Sequence, residues 1–118
     1  MKEVGEGIKA SGVPRSEIFI TSKIWCTYLG RVEENLDKIL EGLATDYVDL
    51  LLVHWPFALN PNGNHPLFPT KEDGTFDIDD EWDISETWKQ MEAAQRSGNA
   101  LTCNFSKMDL RLRNLVCR

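Results

Sequence analysis

The sequence predicts an α/β protein built on a parallel sheet, and three observations carry that expectation. Helical and extended patterns alternate along the chain. The run Val48-Asp49-Leu50-Leu51-Leu52-Val53-His54 is almost continuously apolar, as suits a strand covered on both faces. An amphipathic helix pattern separates it from an earlier strand pattern, which is the spacing of a βαβ unit.

Each element has its own signal. Residues 2–11 predict a short helix with Val4 and Ile8 on its apolar face, weakened by Gly5 and Gly7 and ended by Gly12 with Pro14 beyond. Ile18 to Trp25 is rich in β-branched and aromatic residues and predicts the first strand. From Arg31 to Leu43 the apolar residues Val32, Leu36, Ile39, Leu40 and Leu43 recur at helical spacing. After the second strand, Phe57 to Trp82 is polar and punctuated by Asn60-Pro61-Asn62-Gly63, Pro66, Pro69 and Asp73-Gly74. A loop of that length in a compact domain is as a rule functional or disordered. Asp83 then reads as an N-cap with Glu86 three residues on, opening a helix that buries Ile84, Trp88 and Met91 and stops at Gly98. A short apolar piece, Ala100 to Cys103, precedes Asn104-Phe105-Ser106 and a helical tail from Met108 to Val116.

Composition narrows the function classes. The 118 residues carry 13 Lys and Arg against 19 Asp and Glu, a formal net charge of −6. With that balance and no basic stripe, a nucleic-acid partner is not expected. Four Trp and five Phe disfavour disorder. The longest apolar run is interrupted by Asp49 and His54 and is too short for a bilayer, so no membrane partner is expected. Met1 to Gly5 contains no apolar core of a signal peptide, which makes a cytoplasmic location the default expectation. Three scattered cysteines without a C-x-x-C pair, and only two histidines, suggest neither a disulfide framework nor a metal site.

The residues that invite chemistry are Lys23 and His54. Each lies near the C-terminal end of a predicted strand, one βαβ unit apart. Neighbouring strands of a sheet lie about 4.8 Å apart, so the two side chains can share a site. Period-2 counting puts Phe19, Thr21, Lys23 and Trp25 on one face, and Leu50, Leu52 and His54 on one face of the next strand. Ligands bind at the carboxyl ends of strands in α/β folds. An ammonium there lowers a neighbour's pKa, and an imidazole orients a carbonyl. Spacing alone leaves the plainer reading open: a strand-end lysine is usually solvated, and a histidine after a leucine run is usually hydrogen-bonded core. Trp25, Trp55 and Phe68 read either as pocket lining or as core. The acidic run from Asp77 to Glu81 reads as a solvated loop. Cys103, with no activating partner in the sequence, reads as an inert thiol.

The segments Thr21-Ser22-Lys23-Ile24-Trp25, Arg31-Val32-Glu33-Glu34-Asn35-Leu36, Asp46-Tyr47-Val48-Asp49-Leu50-Leu51-Leu52-Val53-His54-Trp55-Pro56 and Asn104-Phe105-Ser106 resemble the aldo-keto reductases. The stretch Asn60 to Pro69 is similar to their fungal glycerol-dehydrogenase-type branch. The resemblance implies a partial (β/α)8 TIM barrel of about three βα units. It also implies NADPH-linked reduction of small aldehydes and ketones, with a catalytic tetrad of Asp, Tyr, Lys and His. In that family the Tyr gives the carbonyl oxygen its proton, the Lys sets the tyrosine's pKa and the His orients the substrate. Lys23 and His54 match the tetrad's Lys and His. Trp25 and Trp55, with His54, match substrate-binding residues, and Cys103 and Asn104 match the pair that contacts the nicotinamide carboxamide.

Departures from the family pattern shape the remaining expectations. The tetrad's Asp and Tyr fall before the first helix of this chain, and neither Tyr28 nor Tyr47 sits at the family's tyrosine position. About three residues are lacking between Gly98 and Asn104. A full barrel takes about 250 residues, so residues 1–118 read as one incomplete domain, truncated at both ends, with most of the cofactor-binding segment absent. The expectation is an oxidoreductase homologue inactive as a fragment, with self-association through its open sheet edges. The alternatives are a non-catalytic piece that binds an intact reductase subunit, or an incomplete gene product.

Overall fold

The computed structural model describes residues 1–106; the expected tail helix, Met108 to Val116, lies outside them. Helix α1 (Lys2–Ser11) leads through a left-handed Gly12 and a single 3-10 turn to strand β1 (Thr21–Ile24). Helix α2 (Val32–Leu43) returns the chain to β2 (Val48–Val53), which pairs parallel to β1. Helix α3 (Ile84–Arg96) precedes β5 (Ala100–Phe105), which pairs parallel to the other side of β2. The sheet order is therefore β1-β2-β5, with two parallel crossovers made by α2 and α3. Between β2 and α3, two short antiparallel strands, β3 (Ala58–Leu59) and β4 (Ile78–Asp79), bracket the long excursion.

Both helices cover one face of this sheet. Val32, Leu36, Ile39, Leu40 and Leu43, all five apolar residues of the α2 pattern, are buried. They pack with Ile24, Leu51 and Val53 of the sheet and with Met91 and Ala94 of α3. Asp83 caps α3 as expected, its carboxylate accepting from Ser85 N at 2.9 Å. The reciprocal half of a capping box is replaced: the Glu86 carboxylate pairs with Lys89 instead.

Three expectations are corrected by the structure, and an alternative left open for the long loop is decided. In α1 it is Gly5 that is buried, while Val4 is 54% exposed. The helix docks through its glycine, with Ile8 partly buried against the core and Val4 left out. The first strand is four residues long: before it, side chains of Arg15 and Asp49 take Ile18 O and Ile20 N, and only Ile20 O still accepts from the main chain of β2. Strand β2 is closed on its helix face, but Leu50 and Leu52 on the other face are only partly buried, so the apolar run exceeds the cover that the described residues provide. The long loop is ordered: Asn60 donates to Asp77 through both its main-chain and side-chain nitrogens, at 2.8 Å each, and Thr70 bridges Phe76.

A buried threonine ties the helices to the loop. Thr87 Oγ1 donates to Leu29 O at 2.9 Å and accepts from the Trp82 indole N–H, also at 2.9 Å. Thr87→Val keeps the shape and strands both partners. Leaving a buried polar group unpaired costs about 1–3 kcal/mol. Because Trp82 can still reach water, a loss of about 1–2 kcal/mol is expected in urea unfolding. A neutral result would show that the pocket rehydrates freely.

Candidate active site

The sheet register builds the site. Lys23 lies opposite Leu52, and Leu52 opposite Asn104. Alternate residues of a strand share a face, so Thr21 and Lys23, Leu50 and Leu52, and Thr102 and Asn104 look to the side away from the helices. His54 follows Leu52 by two, just past the end of β2. Its main chain is fixed from both neighbours: His54 N donates to Ile24 O at 3.1 Å, and His54 O accepts from Ser106 Oγ at 2.6 Å. The imidazole is thus carried on a backbone held by β1 on one side and by the end of β5 on the other.

Trp25 directly follows β1 beside it. Its main-chain N–H donates to Asn35 Oδ1 of α2 at 3.0 Å, and its indole N–H donates to Leu67 O at 2.6 Å. The rings form a continuous wall. Trp25 meets His54 edge-on with centroids 5.1 Å apart and Phe68 at 5.2 Å; His54 lies 5.9 Å from Trp55, and Trp55 5.6 Å from Phe57. The loop Asn60 to Pro69 supplies the outer part of this wall, and Thr27 Oγ1 anchors it through Pro66 O at 2.8 Å. Lys23, His54, Trp25 and Trp55 therefore lie at the carboxyl end of the sheet, with Phe68 packed on Trp25.

Cys103 is not part of that grouping. Adjacent strand residues point to opposite faces, and β5 runs unbroken from Ala100 to Phe105, so Cys103 and Asn104 cannot share a face. The Cys103 sulfur lies 3.4 Å from Met91 O on α3, and Phe105 stacks on Trp88 there. Burial pushes its thiol up to about 11, and burial likewise pushes the Cys26 thiol up to about 11. Both are poor nucleophiles near neutral pH. Only Asn104, on the Lys23 face, is placed as a nicotinamide contact would require. The described residues thus offer one of the two expected contacts on the Lys23 face.

Neither tyrosine of the chain lies in the grouping. Tyr47 precedes β2, at the opposite end of the sheet, with the Arg15 guanidinium 3.9 Å above its ring. The Tyr28 hydroxyl accepts from Lys38 of α2 at 3.0 Å. At this site sequence reasoning missed the contact of Asn35 with Trp25: a lone amide at helical spacing between Val32 and Ile39 of an apolar stripe is the signal that could have marked it.

Three parallel strands joined by covering helices, with an aromatic cluster, a lysine and a histidine at their carboxyl ends, define a segment of a TIM barrel. The Aldo/keto reductase family matches residues 1–114, and the chain belongs to that family. It is 51% identical to a D-galacturonate reductase of Hypocrea jecorina over 111 residues, covering 89% of this chain and 36% of that one. It is 41% identical to a glycerol 2-dehydrogenase (NADP(+)) of Saccharomyces cerevisiae over 113 residues, covering 92% and 36%. An aldose reductase structure from Schistosoma japonicum superimposes with a TM-score of 0.90 at 31% identity, over 98% of this chain and 40% of that one. The chain thus spans little more than a third of the length of these relatives.

Proposed function

We propose that these residues carry the lysine–histidine half of an NADPH-linked carbonyl reductase site, acting on small aldehydes, ketones or the corresponding alcohols. The observation that carries the reading is the convergence of Lys23 and His54 on one face of adjacent parallel strands, beside the aromatic wall of Trp25 and Trp55. In it, an imidazole N–H of His54 holds the carbonyl oxygen. The Lys23 ammonium places positive charge where negative charge develops. Trp25 and Trp55 exclude water from the reacting carbon. Asn104 is the residue of this chain that would face a nicotinamide, and a bound NADPH would supply the hydride.

The 118 residues hold no tyrosine at this site, so the chain by itself is proposed to be inactive. NADPH consumption with a short aldehyde is the direct check, and the expected rate equals that without protein. In a form extended by the family's Asp and Tyr segment, Lys23→Met and His54→Ala each lower kcat by about 10²–10⁴-fold. Turnover that ignores both substitutions would sink the assignment.

A second reading rests on the open sheet. Strands β1 and β5 each pair on one side only among the described residues, and unpaired strand edges recruit further chain. Self-association, or capture of an intact reductase subunit, follows from it. Sedimentation of the purified chain should show dimers or larger species, and a cooperative monomer would count against this reading.

A further inference from the structure

We infer that His65 is a positioning residue whose unprotonated ring pins the loop that seats Phe68 and Leu67 on Trp25, and that protonating His65 releases the pin. His65 Nδ1 accepts two main-chain hydrogen bonds, from Leu67 N at 3.1 Å and from Phe68 N at 2.9 Å. Between Pro66 and Pro69 these are the only main-chain N–H groups, since proline has none. Both of them end on one ring nitrogen.

The geometry fixes the protonation state that fits. A carbon in place of Nδ1 could not accept, so the ring orientation is set, and an acceptor Nδ1 puts the proton of the neutral imidazole on Nε2. A second proton has to go on Nδ1, pointing at two N–H donors. Neither bond survives that.

What hangs on the turn is the pocket wall. The three residues after His65 each touch the segment that ends β1: Pro66 O accepts from Thr27 Oγ1, Leu67 O from the Trp25 indole N–H, and the Phe68 ring packs on Trp25. The His65 ring itself lies 5.9 Å from Phe68. Other titratable groups share this neighbourhood. His54 touches the Trp25 ring, Lys23 precedes Trp25 by two residues, and the Asp77 carboxylate, held by Asn60, lies beside Gly63. A test must therefore separate His65 from His54 above all.

The indole N–H resonance of Trp25 in the ¹⁵N-labelled chain, assigned by its loss in Trp25→Phe, reads the bond to Leu67 directly. As the pH is lowered and the His65 ring is protonated, the resonance should move upfield and exchange faster with water. His65→Asn should hold it still, because an amide oxygen replaces Nδ1 at the same number of bonds from the backbone and does not titrate. His65→Ala should show the released signal at every pH. A Trp25 response that is identical in wild type and His65→Asn would assign it to His54 and overturn the inference. So would a fixed Trp25 signal while the His65 ring resonances titrate. Should His65→Ala fail to fold, the comparison of wild type with His65→Asn decides alone. The readout is the loop itself, so the result does not depend on whether the site reduces carbonyls.

Discussion

Asp49→Ala lowers the stability of the chain by about 3 kcal/mol, read as a fall in the urea midpoint at neutral pH. The Asp49 carboxylate joins the approaches to two strands. Its Oδ2 accepts from Ile20 N, just before β1, and from Arg15 Nη2, both at 2.8 Å. Arg15 in turn donates to Thr45 Oγ1, Tyr47 O and Ile18 O, and lies over the Tyr47 ring. The two side chains are only 15% and 21% exposed, so removing one leaves the other poorly solvated. Breaking such a pair costs about 3–5 kcal/mol when fully buried, and the residual exposure argues for the lower end. The Ile20 N–H first, and then Arg15, hold the Asp49 carboxyl below the usual carboxylate range. A depressed folded value means that the stabilisation is complete above about pH 3.9, the unfolded value, and is lost as pH falls through the folded one. Asp49→Ala should therefore flatten the acid limb of the stability curve as well as lower its plateau. An unchanged acid limb would hand that limb to other carboxylates.

This clamp was not legible in the sequence, and the reason is physical. Period-2 counting treats Asp49 as a polar interruption in an apolar strand. Nothing local says that an arginine from before the previous strand will reach it. The register elements were legible: the spacing of Val32, Leu36, Ile39, Leu40 and Leu43 settles which face of α2 is buried, and the parallel pairing of β1 with β2 follows from one helix between two strands. The convergence of Lys23 with His54 came out of the same arithmetic. Cys103 and Asn104, matched as a pair by motif, lie on opposite faces of β5, which the alternation of a strand already implies. What the sequence left unsigned was the extent of β5. The segment shortened before Asn104 still pairs with β2 from Val48 opposite Ala100 to Val53 opposite Phe105, because main-chain pairing is indifferent to side-chain motif. The loop was likewise readable only as punctuation, since its order comes from Asn60 reaching Asp77 across 17 residues and from the His65 ring taking two nearby main-chain N–H groups.

Two glycines of one helix should respond in opposite senses to the same substitution. On propensity alone, Gly→Ala within α1 gains about 0.5–1 kcal/mol. Gly7 meets nothing within 4 Å of the position a Cβ would take, so Gly7→Ala should raise the urea midpoint by that amount. At Gly5 the added carbon would stand 2.6 Å from Gly42 O and 2.8 Å from Leu43 O. Those are main-chain atoms of the last turn of α2 and cannot swing aside as a side chain would. Overpacking of this kind costs about 1–3 kcal/mol or more. The contact is with backbone, so the upper part of that range applies, and after the propensity gain Gly5→Ala should still lose about 2 kcal/mol. The paired design removes the main ambiguity: both variants change helix propensity equally, and only one meets α2. If both were stabilised, α1 would not dock on α2 through Gly5, and the burial of that glycine would have no energetic consequence. If Gly5→Ala alone is destabilised, the residue that reads in the sequence as a flaw in the first helix is the one that lets it lie against the second.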